Sequence, residues 1–123
     1  MELAMIGLGK MGLNMATRLV RGGHRVIGYA PSAESVQAAI EVGAQGAASL
    51  AAAVRLLAPP RTVWLMIPAG KITHDTILQL STLLSLGDCV IDGGNSNYRE
   101  TEQHATLLEA KGIDFLDCGT SGG

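Results

Sequence analysis

Long apolar runs are missing from this chain: no stretch approaches the roughly 18 residues that a helix needs to cross a membrane. A secretory signal is missing too, because the first residues run straight into a strand pattern. Clusters of Lys and Arg are absent and the formal net charge is −2, which argues against nucleic acid or an anionic membrane surface as partner. Cysteine is scarce. The two present, Cys89 and Cys118, fall in segments that read as buried strands, so they count as small core residues in a reducing compartment. No grouping of Cys, His, Asp and Glu has metal-ligand spacing, and no metal is expected. What remains is a cytoplasmic protein of one domain. At 123 residues such a chain buries about two thirds of its unfolded surface, enough for a real core.

What is present is glycine in a particular place. The run Met5-Ile6-Gly7-Leu8-Gly9-Lys10-Met11-Gly12 breaks an apolar strand, Glu2–Ile6, into G-x-G-x-x-G. A helix pattern follows over Leu13–Val20. That order suits a dinucleotide pyrophosphate. Gly7 permits the tight exit from the strand, Gly9 removes a side chain where phosphates approach backbone, and Gly12 lets the helix pack close to the sheet. The helix N-terminus adds free N–H donors and the positive end of its dipole.

Strand and helix patterns then alternate. Gly22-Gly23 stops the first helix, and His24–Tyr29 reads as a second strand. A helix from Ser32 or Ala33 to about Val42 closes at Gly43, a short strand covers Ala44–Ala47, and a small helix covers Ser49–Leu57. Pro59-Pro60 breaks the pattern before Thr62–Ile67, a continuous apolar run typical of a central parallel strand. Helix Lys71–Leu84, strand Asp88–Ile91, a helix from about Asn97 to Lys111 and strand Ile113–Asp117 complete the order. Asn97 and Glu100 fit an N-x-x-E capping box. Six strands with helical crossovers predict an α/β, doubly wound Rossmann fold: a mainly parallel six-stranded sheet with helices on both faces.

At the end of the second strand an Asp or Glu would accept the ribose hydroxyls of NAD, and an Arg would favour the 2′-phosphate of NADP. This chain has Tyr29-Ala30-Pro31-Ser32 instead. The nearest acid, Glu34, lies in the next helix and is expected to face solvent. Ser32 is expected to cap that helix, with a ribose or phosphate contact as the alternative. Lys10 could add charge near the phosphates or simply be solvated. NAD and NADP both stay open as cofactor.

Three later segments end strands on the same carboxyl edge: Val63-Trp64-Leu65-Met66-Ile67-Pro68-Ala69-Gly70, Val90-Ile91-Asp92-Gly93-Gly94-Asn95-Ser96-Asn97-Tyr98, and Asp117-Cys118-Gly119-Thr120-Ser121-Gly122-Gly123. Open α/β sheets bind ligands at that edge. With Gly7–Gly12, these segments resemble the N-terminal domain of 6-phosphogluconate dehydrogenase over essentially the whole chain, in particular its shorter bacterial-type branch. The 3-hydroxyisobutyrate dehydrogenase group shares the glycine turn and Ser-Gly-Gly but normally lacks Gly-Gly-Asn-Ser.

The resemblance implies that the backbone of Leu8 to Met11 holds the pyrophosphate. It places Met66, Ile67, Pro68 and Ala69 along the adenosine and nicotinamide ribose side. It makes Asn95 reach both the nicotinamide and a substrate hydroxyl, and makes Ser121, Gly122 and Gly123 the start of the sugar-acid pocket. From the residues alone, Asn95 offers a donor and an acceptor at a helix start, or it serves only as a cap together with Ser96. Asp92 could orient this loop or merely form its turn.

The chemistry implied is oxidation of a 3-hydroxy acid followed by loss of CO₂. In the family its Lys and Glu proton carriers lie beyond the Ser-Gly-Gly segment, past Gly123, so this chain is expected to be inactive alone. It would lack the family's helical domain. Lys71, His24, His74 and His104 do not replace those groups; the two helical histidines are expected at the surface or in local hydrogen bonds. Two readings remain: the dinucleotide-binding domain of such a dehydrogenase, or a free-standing nucleotide-sensing module. Apolar surface around Phe115 and Leu116 is expected to seek a partner, giving a homodimer.

Overall fold

Residues 1–94 and 96–118 are described by the computed structural model, apart from the side chain of Tyr98. The elements alternate along the chain. They are β1 (Glu2–Ile6), α1 (Lys10–Arg21), β2 (Arg25–Tyr29), α2 (Ala33–Glu41), β3 (Gln45–Gly46), α3 (Leu50–Arg55), β4 (Thr62–Leu65), α4 (Lys71–Leu83), β5 (Cys89–Asp92), α5 (Tyr98–Glu109) and β6 (Asp114–Asp117). The strands form one sheet in the order β3-β2-β1-β4-β5-β6, and every pairing is parallel. This is the doubly wound Rossmann order, with its reversal of direction between β1 and β4.

Alternation within the strands explains why both faces are covered. In β1, Leu3 and Met5 enter one core with Val26, Ala16 and Ala39, the side of α1 and α2. Ala4 and Ile6 enter the other with Ile27, Val63, Leu65, Val90, Ile77, Leu80 and Leu108, the side of α3, α4 and α5. Side chains of period two thus feed two separate cores from one strand. Burying each large aliphatic side chain contributes about 1.5–3 kcal/mol. The helices present matching stripes: Thr73, Ile77, Leu80 and Ser81 are the buried positions of α4, spaced as one helical face.

Several boundaries shift from those the pattern predicts, and each shift has a local cause. α1 starts at Lys10 rather than Leu13, because helical backbone begins directly after Gly9. α3 and α5 start after their caps, the Ser49 hydroxyl accepting from Ala52 N at 3.0 Å and the Asn97 side chain from Glu100 N at 3.0 Å. The return half of the predicted capping box does not form: Oε2 of Glu100 is buried without a partner.

Two expectations about the sixth strand and its neighbourhood are corrected. β6 is an edge strand with three exposed residues out of four. Cys118 is therefore exposed just past its end and Cys89 half-buried, so neither is a deep core residue. The expected exposure of Leu116 holds, at 55 %. Register places Leu116 beside Ile91, and Ile91 beside Trp64, a row on the sheet face away from α4 and α5.

Candidate functional site

The glycine turn sits where the direction of strand order reverses, at the carboxyl ends of β1 and β4. Gly7 has φ of 97°, a left-handed conformation that side chains resist. A Cβ there would also overlap the carbonyl oxygen of Met66. Its own N–H donates to the Tyr29 carbonyl at 2.9 Å, tying the turn to the end of β2. Gly12 lies in the first turn of α1, and a Cβ on it would overlap the Gly7 carbonyl. That contact is how closely helix and strand approach.

Gly9 differs from both. A Cβ at Gly9 would meet nothing within 4 Å, so the fold itself has no need of glycine there. Gly9, Lys10 and Met11 are exposed, Gly9 caps α1 without a side-chain hydrogen bond, and no acid lies in the first helical turn. The first N–H groups of α1 have no intrahelical acceptor. Open donors, the positive helix end and a bare space in front of them fit an anion.

The neighbouring loops are locked to each other. Met66 N donates to Ile6 O at 2.7 Å and Gly93 N to Leu65 O at 2.8 Å, stepping the loops from β1 across β4 to β5. The buried Thr73 hydroxyl donates to the Pro68 carbonyl at 2.6 Å, pinning the 66–70 loop to the start of α4. A Cβ on Gly94 would strike the Ile67 carbonyl at 2.6 Å. Asp92, fully buried, accepts from Gly94 N at 2.9 Å and from the Ser96 hydroxyl at 2.7 Å. Asp92 thus holds the loop in which Asn95 lies, and both of its sequence readings, turn and orientation, are one geometry. Asn95 itself, and Ser121, Gly122 and Gly123, lie outside the described residues.

On the β2 side a cleft of about 230 Å³ runs between Ile6, Gly7, Tyr29, Pro31, Ile67 and Thr76. A second, of about 250 Å³, lies behind it among Ala30, Val36, Ile40 and Ala47. Both open beside the segment 29–32, where Ala30 is buried and Pro31 and Ser32 are exposed. The Ser32 hydroxyl accepts from Ser35 N at 3.4 Å, so Ser32 caps α2 as expected. Glu34 is exposed. Among the described residues that line these clefts none is charged. The role of α4 in this cleft was not read from sequence, although Ile72, Thr76 and Gln79 also line it at helical spacing directly after the loop.

Several titratable residues stay out of the crevice. The Lys71 ammonium pairs with Asp75 at 2.9 Å on the surface. His104 overturns the surface expectation: it is 1 % exposed, and its Nε2 lies 3.2 Å from His74 Nδ1. The apolar face of α5 draws it in, against the edge of Phe115 at 6.2 Å. His74 is exposed, in line with the surface expectation, and the bond that the two histidines share is long-range, between α4 and α5, rather than the local one expected. Among the described residues there is no group of His, Cys, Asp and Glu that could hold a metal ion, and no helix is long and apolar enough to cross a membrane.

Comparison with known proteins agrees with this geometry. Residues 2–123 match the family described as the NAD binding domain of 6-phosphogluconate dehydrogenase. The NAD(+)-dependent, decarboxylating 6-phosphogluconate dehydrogenase of Haloferax volcanii is 43 % identical over 123 residues, covering all of this chain and 40 % of that protein. Among solved structures, the Plasmodium falciparum 6-phosphogluconate dehydrogenase, described with NADP+ and with 6-phosphogluconate, superposes with a TM-score of 0.90 at 28 % identity, over all of this chain and 28 % of that one. The 3-hydroxyisobutyrate dehydrogenase of Mycobacterium tuberculosis does so with a TM-score of 0.87 at 27 % identity, over 99 % and 41 %. The chain spans less than half the length of each of these relatives. A match along nearly its whole length, a Rossmann sheet and an open glycine turn at the switch point make this chain a member of the family of 6-phosphogluconate dehydrogenase NAD-binding domains, with a nicotinamide adenine dinucleotide as its cofactor.

Proposed function

We propose that this chain is the dinucleotide-holding part of a decarboxylating sugar-acid dehydrogenase acting on 6-phosphogluconate and giving ribulose 5-phosphate. The open space at Gly9 before the unpaired N–H groups of α1 carries this reading. In it, the backbone of Leu8, Gly9, Lys10 and Met11 binds the pyrophosphate. Tyr29, Ala30, Pro31 and Ser32 border the adenosine ribose, and Met66, Ile67, Pro68 and Ala69 border the rest of the cofactor. Asn95, Ser121, Gly122 and Gly123 face the substrate. Asp92 positions the Asn95 loop through its bonds to Gly94 and Ser96. When bound, the nicotinamide supplies a hydride acceptor; the protein's part is to orient it and keep water from it.

The part proposed for these residues is to hold and orient the cofactor; the proton-transfer Lys and Glu of the family are assigned to none of them. A second reading, a β-hydroxyacid dehydrogenase of the 3-hydroxyisobutyrate type, is favoured by the similarity to the mycobacterial structure. Asp92-Gly93-Gly94-Asn95-Ser96 weighs towards the first. For partners, the exposed Leu116 beside half-buried Ile91 supports a second copy of the chain on this sheet face, in a cytoplasmic homodimer.

Calorimetric titration with NAD, NADP and their reduced forms tests the reading. Micromolar to millimolar binding of at least one supports it, and no binding of any at millimolar ligand rejects it. Ala30→Asp supplies the missing ribose acceptor and is expected to raise NAD affinity about tenfold over NADP. An unchanged ratio, with the variant still folded by circular dichroism, removes segment 29–32 from the ribose side.

A further inference from the structure

The two loops proposed for the nicotinamide half, 66–70 and 93–97, lead into α4 and α5, and the His pair joins the start of α4 to the middle of α5. His74 is in the first turns of α4, with its N–H on the Gly70 carbonyl at 2.9 Å. His104 is about two turns into α5, beyond the Asn97 cap. Their rings stack with centroids 5.4 Å apart. At the far end of the same helices Lys111 Nζ donates to the Ser81 carbonyl at 3.0 Å. Polar ties thus join the helices at two levels, and the one nearer the loops is made of two titratable rings.

We propose that His74 and His104 form a proton-sensitive clasp that sets the spacing of the 66–70 and 93–97 loops, so that acidification loosens the crevice and weakens dinucleotide binding. The argument is a count of protons. In the neutral pair, Nε2–H of His104 donates to Nδ1 of His74, and the second N–H of the pair points from the exposed His74 to solvent. Nδ1 of His104 is buried and has no partner; as a bare lone pair it is tolerated better than an N–H would be. Adding one proton leaves only two outcomes. Either both facing nitrogens carry hydrogens, or an N–H is created at the buried Nδ1 of His104. Each disfavours the charged state.

The surroundings agree in sign. Burial first, and His74 second, hold His104 below its usual value of 6.5 despite the opposing carboxylates of Asp92 and Glu100. Every packed element contributes: α4 brings His74 beside the Lys71–Asp75 ion pair, α5 brings Glu100, β5 brings Asp92, and β6 brings the uncharged Phe115 ring. A histidine held below its unfolded value stabilises the fold fully above about pH 6.5 and loses that contribution as pH falls below it. Asp92 is also the carboxylate that holds Gly94 and Ser96, so a charge arriving on His104 acts on that loop directly.

The consequence for binding rests on the proposed dinucleotide site, so the test reads the clasp both with and without ligand. Ring ¹⁵N spectra of the 123-residue chain are recorded from about pH 8 to about 5.5, with the amide signals of Gly70, Gly93 and Gly94. The proposal expects those amides to move with the same midpoint as the His104 ring, below 6.5. NADH affinity, read by energy transfer from the single Trp64, is expected to fall about fivefold or more over the same range. His74→Asn lies on the exposed side and removes the neighbouring ring that helps to hold His104 down; it should move the midpoint of both profiles up towards 6.5. Amides that ignore the ring titration, or an unaltered profile in His74→Asn, overturn the clasp. Absence of NADH binding already at pH 8 overturns the dinucleotide reading instead, and leaves the amide test decisive for the clasp.

Discussion

The two edges of the sheet are built from different chemistry. At the amino edge, charges sew the strands together. The fully buried Asp88 accepts from Arg61 N at 2.6 Å and Ser85 N at 2.8 Å, and pairs with the Arg61 guanidinium at 3.2 Å. Glu2 pairs with Arg25 and accepts from Ala58 N at 2.9 Å, while Arg25 also reaches Leu56 O at 3.0 Å and Gln45 at 2.8 Å. At the carboxyl edge no such cross-strand ion pair is found among the described residues. Glycines, backbone amides and the carboxylates of Asp92 and Asp117, neighbours in register, stand there instead. The same strand, β5, carries the contrast: Asp88 precedes it with a cation for a partner, and Asp92 ends it, among the described residues, with an amide and a hydroxyl. Cross-strand ion pairs among the described residues stand at one edge, which leaves the other free of them for a ligand.

Substituting the two aspartates should break this comparison most visibly. Asp88→Ala strands a largely buried guanidinium and two N–H donors, and is expected to cost about 3 kcal/mol in chemical unfolding. Dinucleotide affinity should be unchanged where the variant is folded. Asp92→Ala leaves no cation behind, so about 1–2 kcal/mol is expected, together with a clear loss of affinity. Equal unfolding costs with equal affinities would erase the distinction between the edges.

Gly9→Ala sharpens it at one position. Its Cβ has free space in the fold, so stability should change by less than about 1 kcal/mol. The methyl group stands where the pyrophosphate is proposed to lie, and affinity should fall about tenfold or more. Calorimetry and thermal melting of the same sample check both halves. Smallest is a pH effect at the amino edge. The Ala58 amide first, then Arg25, holds the Glu2 carboxyl below its usual 4.5. Its contribution is therefore present above that value and is lost as pH falls below it. Arg25→Ala should move the Glu2 titration back towards 4.5 by NMR and reduce the loss of stability on acidification.

Much of this was legible in the sequence because local patterns carry it. The strand before Gly7, the caps at Ser32 and Asn97, and the helical stretches of α1 and α4 each lie within a few residues, where propensity and periodicity act. The glycine turn was readable for the same reason. His104 was not. Its place inside depends on Phe115 and His74, respectively on β6 and α4, and no local signal joins them. The same holds for Cys118, whose exposure follows from β6 being the edge of the sheet rather than from its own apolar neighbours.

The sequence by itself therefore determined the order of elements, the parallel sheet and the presence of a phosphate-type turn, since these follow from short-range periodicity and glycine placement. The tertiary structure alone decided which loops the turn meets, that Gly9 is free while Gly7 and Gly12 are confined, and that two distant histidines share one hydrogen bond. Those facts depend on strand register and helix packing, which bring together residues that no spacing along the chain connects.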